Sequence, residues 1–144
     1  KDGIIPCLLA AEMTAKTGID PAARHEAHER RFGKSYYGRV ETAAPASVRQ
    51  KLGKLSPSDI TADTLAGEPV VSILTNAPGN HAPIGGLKVC SQNGWFAVRP
   101  SGTEDIYKIY AESFKSEDHL HEIERQADDI VARVTNSNAS IDRE

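Results

Sequence analysis

Two apolar runs, Leu87–Ser91 and Trp95–Val98, flank the dipeptide Asn93-Gly94, and a third run, Ile106–Glu112, follows one short loop later. Asn-Gly between apolar runs is the strongest short-range signal for a β-hairpin. The chain is thereby constrained to an antiparallel meander, with the segment after Val98 as its second connection. Side chains alternate along a strand, so Trp95, Ala97 and Arg99 share one face while Phe96 and Val98 share the other. A cover for one face follows. Ser116 is placed to cap a helix whose first turn holds Glu117 and Asp118, favourable for the macrodipole. Its apolar stripe is Leu120, Ile123, Ala127, Ile130, Val131 and Val134. From Thr135 onward the chain is polar and reads as a frayed tail.

Upstream, Asp2–Thr17 is predicted as a helix, with Pro6 in its first turns, Ile4, Ile5, Leu8, Leu9 and Met13 as apolar positions, and a stop at Gly18. Asp20-Pro21 supplies an N-cap and a first-turn proline for a second helix closing near Gly33. Tyr36–Glu41 reads as a short strand, Thr42–Ser47 as an alanine-rich connector around Pro45, and Val48–Leu55 as a short helix ending before Ser56-Pro57. Val70–Thr75 is β-rich, and Asn76–Gly86 carries the Asn, Pro and Gly of a loop. A domain boundary is placed near Lys34, dividing the chain into residues 1–34 and 35–144. The expected class is α+β: an antiparallel sheet with helices packed on one face, preceded by two helices from another domain. Ile4, Leu8 and Leu9 would then lack the sheet they normally pack on, and are expected to be exposed, to promote self-association or to stay mobile.

The 144 residues carry 17 Lys and Arg against 20 Asp and Glu, a net charge of −3, which argues against a general nucleic-acid binder. No run approaches the roughly 18 apolar residues of a membrane span, and no charged-then-apolar leader opens the chain. A cytoplasmic location is the default. The chain begins on Lys1 within an apolar helical pattern, as expected of a piece cut from something longer. Cys7 and Cys90 fit no redox or zinc spacing and read as buried small hydrophobes. His25, His28 and Glu29 on one helix, and His119 and His121 on another, are poorly spaced for zinc, whose helical ligand pairs prefer i and i+4, and a third convergent ligand is missing. They are taken as solvated, and no metal is expected here. Trp95, Tyr107 and Tyr110 could stack bases, but aromatics at alternating strand positions are more often core.

Arg99-Pro100-Ser101-Gly102-Thr103-Glu104 holds the parts of a phosphate cradle. A guanidinium fork matches phosphate oxygens bidentately, and hydroxyls donate to those that remain. A glycine lets successive backbone N–H groups form an anion-binding nest. Lys108, on the next strand, can add a point charge. An ordinary hairpin loop with an exposed arginine is the competing reading. Ser101 has no histidine in a context that would make it a nucleophile.

Read through Phe114, the stretch RPSGTEDIYKIYAESF resembles the phosphate-binding loop of the alpha-D-phosphohexomutases, nearest their phosphoglucomutase branch. Lys1-Asp2-Gly3-Ile4-Ile5-Pro6-Cys7-Leu8-Leu9 is similar to the family segment after its sugar-recognition loop. Gly85-Gly86-Leu87-Lys88-Val89 through Trp95-Phe96 is similar to the strand pair that feeds the phosphate loop. The resemblance implies the last quarter of such an enzyme: C-terminal helices of a third, α/β domain in residues 1–34 and the phosphate-binding domain in 35–144. In the family a phosphoserine exchanges its phosphoryl group with a sugar phosphate through a bisphosphate. The implied ligands are glucose 1-phosphate, glucose 6-phosphate and glucose 1,6-bisphosphate, and the implied partners are upstream domains in cis, with neither nucleic acid nor membrane. Carried over, Arg99, Ser101, Gly102, Thr103 and Lys108 bind phosphate, and Lys1 matches a substrate-contacting lysine, a weak candidate for catalysis. The serine loop, the Asp-x-Asp-x-Asp magnesium loop and the Gly-Glu-Glu-Ser sugar loop do not occur in this sequence. Magnesium is thus implied for the parent but not for this segment, which alone should be inactive. A phosphomannomutase, a phosphoglucosamine mutase and a free-standing phosphate-binding module remain alternatives.

Overall fold

The computed structural model describes residues 2–136, and the chain divides into two compact units, one running to Lys34 and one beginning at Ser35. Lys1 and the polar tail beyond residue 136 lie outside the described residues. In the first unit, α1 (Ile4–Thr17) begins where Asp2 Oδ1 accepts the N–H groups of Ile4 and Ile5 at 2.9 and 3.4 Å. It ends at Gly18, whose φ of 67° is left-handed and whose N–H donates to the Thr14 carbonyl, a glycine C-cap. The second helix, α2 (Pro21–Phe32), is capped by Asp20, which accepts from the Ala23 N–H. Neither helix buries a residue. Ile4 and Leu8 are 74% and 65% exposed, and Cys7 is exposed with them. The expectation of a buried Cys7 thiol is corrected, because α1 has no buried face.

The second unit is built on a five-stranded antiparallel sheet in the order β1-β7-β6-β5-β4. Its strands are β1 (Tyr36–Ala43), β4 (Ser72–Asn76), β5 (Pro83–Cys90), β6 (Gly94–Pro100) and β7 (Ile106–Ser113). Strand β1 runs two residues beyond its predicted end because it pairs with β7 over its whole length, from Tyr36↔Ser113 to Ala43↔Ile106. The predicted connector shrinks accordingly. Extended Pro45 starts α3 at Ala46–Gly53, two residues ahead of the predicted helix. Residues 83–86, predicted as loop, are strand: Pro83 is tolerated as the first residue of β5, opposite Asn76 across a bulge. Gly86 is required there, since a Cβ would strike the Val98 carbonyl.

The turn between β5 and β6 differs from the predicted Asn-Gly hairpin. Cys90 pairs with Trp95, the Ser91 N–H donates to the Gly94 carbonyl at 2.8 Å, and Gln92-Asn93 form the tip with negative φ. Gly94 is a strand residue, kept small because a Cβ would meet the Ile123 side chain and the Glu112 carbonyl. Asn93 is a ligand: its N–H and Nδ2 donate to the Glu68 carboxylate at 2.9 and 2.7 Å. The left-handed two-residue turn occurs elsewhere, at Ala66-Gly67 with φ of 48° and 78°, joining β2 (Thr64–Leu65) to β3 (Glu68–Pro69). Positive φ at both central residues is what a mirror-image hairpin turn needs. The Ala66 N–H there donates to Gln126 Oε1 at 2.8 Å.

The final helix, α4 (Glu117–Asn136), is capped by Ser116, whose Oγ accepts the His119 N–H at 3.1 Å. It extends through Thr135 and Asn136, past the predicted start of the tail. Leu120, Ile123, Ala127, Ile130 and Val131 are buried, and Val134 packs beside them. With Leu52 of α3 they cover Phe96, Val98, Ile109, Ala111, Leu87 and Val89. Both helices lie on this face of the sheet, as the α+β reading requires, and among the described residues of this unit no helix covers the opposite, open face.

Two outcomes check this account. Gly94→Ala is expected to destabilise the fold by about 1–3 kcal/mol through overpacking. Ala66→Gly should stabilise it by on the order of 1 kcal/mol by relieving a left-handed alanine. Thermal melts of both variants read the signs.

Glu68 gives a pH test. The Asn93 side-chain amide outweighs the opposing effect of burial and, with the Asn93 N–H, Ser91 and Lys115, lowers its pKa from 4.5 to about 2. A depressed carboxylate contributes stability that is fully present above 4.5 and lost as pH falls toward 2. Glu68→Gln should cost about 1–3 kcal/mol at neutral pH and flatten the stability profile within that window. Denaturant midpoints across the acid range measure both effects.

Candidate functional site

Alternation along β6 and β7 aims one set of side chains at the helices and the other at the open face. The register pairs Arg99 with Lys108 and Lys108 with Glu41 of β1, so three charges form a row across three adjacent strands. Like charges directly opposite one another destabilise a sheet. Glu41 offsets this on one side: its Oε1 lies 3.4 Å from Lys108 Nζ and 3.0 Å from Arg39.

Beyond Pro100 the loop closes on itself. The Ser101 N–H donates to the Ile106 carbonyl at 2.9 Å, and Ser101 Oγ accepts the N–H groups of Thr103 and Glu104 at 3.5 and 3.2 Å. Two contacts tie the loop to the rest of the unit. The Ala44 N–H donates to the Asp105 carbonyl, and the Arg49 guanidinium of α3 holds the Asp105 carboxylate at 2.5 Å. Arg49 is 22% exposed and Asp105 87%, so a half-buried guanidinium reaches out to a carboxylate at the surface.

Arg99, Pro100, Ser101, Lys108 and Tyr110 line a shallow depression of about 170 Å³. Arg99 is exposed, and Gly86 beneath it leaves room for its stem. Lys108 sits between Glu41 and Glu104, each 3.4 Å away. Partial burial pulls its pKa down, but hydrogen bonds and charge attraction from Glu104 and Glu41 prevail, and the ammonium titrates above its ordinary value. A planar fork, an ammonium and a hydroxyl converging on one concavity suit a tetrahedral dianion.

The residues singled out from sequence are not all brought together. Arg99, Ser101 and Lys108 line the depression, whereas Gly102 and Thr103 lie on the loop beside it. Gly102 is not left-handed, so the glycine-built nest is corrected; the position of its missing Cβ faces open space. Lys1 lies outside the described residues. Glu41, Arg49 and Asp105 carry no site signal in the sequence, and Tyr110 reads there only as a core or stacking aromatic. Their roles follow from the β1–β7 register and the placement of α3, which no local pattern encodes.

Other candidates resolve differently. Cys90 is half-buried on the open face, where Trp95 and Tyr110 also lie, and the expectation of core burial is corrected for all three. Trp95 Nε1 donates to Glu112 at 3.0 Å, and Lys88 Nζ sits 3.8 Å from the indole centroid, so charged groups satisfy an aromatic outside the core. His119 is not solvated; its Nδ1 hydrogen-bonds Ser113 Oγ at 2.9 Å. Among the described residues no three His, Cys, Asp or Glu side chains are grouped to hold a metal, and no helix is long and apolar enough to cross a membrane. A larger cavity of about 460 Å³ lies between α3 and α4. There Lys51 donates to the Thr135 carbonyl and Arg133 to the Asp129 carbonyl, the usual fate of basic side chains at helix C-termini. Size alone does not mark a site.

Arg99→Gln should leave the thermal midpoint unchanged or raised, since it relieves a cross-strand repulsion, whereas Glu41→Gln should lower it. Paired melts check this: a midpoint lowered by Glu41→Gln but not by Arg99→Gln is the expected result.

Residues 38–130 match the family described as "Phosphoglucomutase/phosphomannomutase, C-terminal domain". The chain is also 58% identical over 136 residues to a phosphoglucomutase of Komagataeibacter xylinus, an alignment that covers 93% of this chain and 24% of that protein. The chain thus spans about a quarter of the length of the curated relative it matches. With a helix-backed antiparallel sheet presenting Arg99, Ser101 and Lys108 around the connection between β6 and β7, the chain belongs to the phosphoglucomutase/phosphomannomutase family and carries its C-terminal domain.

Proposed function

We propose that this chain is the C-terminal segment of a phosphoglucomutase, and that its loop grips whichever phosphate of the sugar is not being transferred. The parent would interconvert glucose 1-phosphate and glucose 6-phosphate through a phosphoserine enzyme and a bisphosphate intermediate. The observation that carries this reading is the convergence of Arg99, Lys108 and Ser101 on one open depression, within a chain 58% identical to a protein of that name. The glucose reading is favoured over mannose or glucosamine phosphates by that relative.

The physics fits the role. Phosphoryl transfer asks a protein chiefly for positioning and charge stabilisation. A grip on the distal phosphate fixes the orientation of the reacting end, and remote binding energy becomes turnover. Either phosphate must fit the same grip, so a site that reads anion charge serves better than one that reads sugar. Phosphoserine, magnesium and sugar recognition would come from upstream domains in cis. The segment alone would be inactive, with Arg99, Ser101, Gly102, Thr103 and Lys108 as phosphate contacts and Lys1 as a substrate contact. Residues to Lys34 would belong to the preceding domain. A sugar-phosphate substrate pool places the parent in the cytoplasm.

The test is a titration of isotopically labelled chain with glucose 6-phosphate, following the backbone amides, with Arg99→Ala as control. Saturable shifts confined to residues 99–108, lost in the variant and reproduced by inorganic phosphate, are expected. Shifts centred on the cavity between α3 and α4 would overturn the assignment.

A further inference from the structure

One carboxylate oxygen stands where an anion would bind. Glu104 Oε2 lies 3.5 Å from Ser101 Oγ, which donates to it, and 3.4 Å from Lys108 Nζ. The same atom therefore engages two of the three donor groups around the depression. Both contacts are long beside the roughly 2.7–2.9 Å of well-made charge-assisted hydrogen bonds. The side chain is 58% exposed, so no burial locks it in place. Glu41 differs: it also faces Lys108 at 3.4 Å, but it is carried on the paired strand β1 and bonded to Arg39. One carboxylate is carried by a paired strand and is 40% exposed, and the other is carried by a loop and is 58% exposed.

We propose that Glu104 is an internal counter-anion, occupying Ser101 and Lys108 while the site is empty and giving them up when a phosphate group enters. This rests on the phosphate-grip reading above and adds a competitor to it. Charge and geometry require the competition. A phosphate dianion placed against Arg99, Ser101 and Lys108 would meet the Glu104 carboxylate at like charge and take the hydrogen-bond donors it now uses. Entry of the ligand and departure of Glu104 are therefore one exchange, and affinity is lowered by whatever the internal contacts contribute.

The exchange suits a mutase whose bisphosphate intermediate must let go of the grip and present its other end. A vacated pair of donors is satisfied at once by Glu104, which lowers the cost of release. The anchor between Arg49 and Asp105 keeps the following residue in place while this happens, so the movement is confined to the Glu104 side chain and its immediate backbone.

The experiment compares the chain with Glu104→Gln and Asp105→Asn, titrating each with inorganic phosphate and following the amides of residues 99–108. The first change removes the competing charge; the second removes a neighbouring loop charge that touches neither Ser101 nor Lys108. Glu104→Gln is expected to bind phosphate about three- to tenfold more tightly, and Asp105→Asn no more tightly than the unaltered chain. Equal or weaker binding by Glu104→Gln, or equal tightening by Asp105→Asn, would overturn the proposal while leaving the phosphate grip intact. No phosphate binding by either the unaltered chain or Glu104→Gln would remove the grip reading itself, and the competitor with it.

Discussion

Arg99 and Lys108 face each other across adjacent strands, and their repulsion must be offset by everything around them. What holds them there is the other face of the same strands. Phe96, Val98, Ile109 and Ala111 are essentially fully buried against α4 and α3, and they alternate with the charged positions. A slip of one residue would turn this set to solvent and force both cations under the helices. Apolar burial on one side thereby fixes a charged arrangement on the other that the charges alone would not adopt.

The neighbouring elements make that arrangement tolerable. Strand β1 brings Glu41 alongside Lys108, α3 brings Arg49 to Asp105, and Gly86 opens space for the Arg99 stem. These supports come from separate points in the sequence, yet all reach the single hairpin that spans β6 and β7. Active and binding sites are commonly stabilised in this way, with local strain or repulsion held by surrounding structure. Here the strain is electrostatic, and an oxyanion between the two cations would relieve it.

What the sequence makes legible follows from how local each feature is. The strand alternation of Trp95–Arg99, the apolar stripe from Leu120 to Val134, and the caps at Asp20 and Ser116 are set by residues within a few positions of one another. Each has the form predicted. The dipeptide Asn93-Gly94 marks a hairpin correctly but for a different reason: Asn93 is needed by Glu68 and Gly94 by Ile123, both distant in the chain. The left-handed turn at Ala66-Gly67 carries no asparagine or aspartate, and a side chain from α4 supports it instead. Cys90, Trp95 and Tyr110 lie on the face away from the helices, which alternation does not reveal, since it separates two faces without saying which one the helices cover.

The candidate site divides along the same line. Arg99, Ser101 and Lys108 lie within ten residues and declare themselves by residue type, because an anion site needs cations and hydroxyls close together. Glu41 and Arg49 do not, because an acid in a strand and an arginine in a helix have many ordinary uses and acquire this one only through register and packing. Every donor and every support named belongs to the unit that begins at Ser35. On the phosphate-grip proposal, the unit supplies the cations and the hydroxyl for an anion, while sugar recognition is assigned to segments outside it. On that proposal, selectivity among phosphosugars is a property to be sought in the remaining three quarters of a protein like the relative it matches.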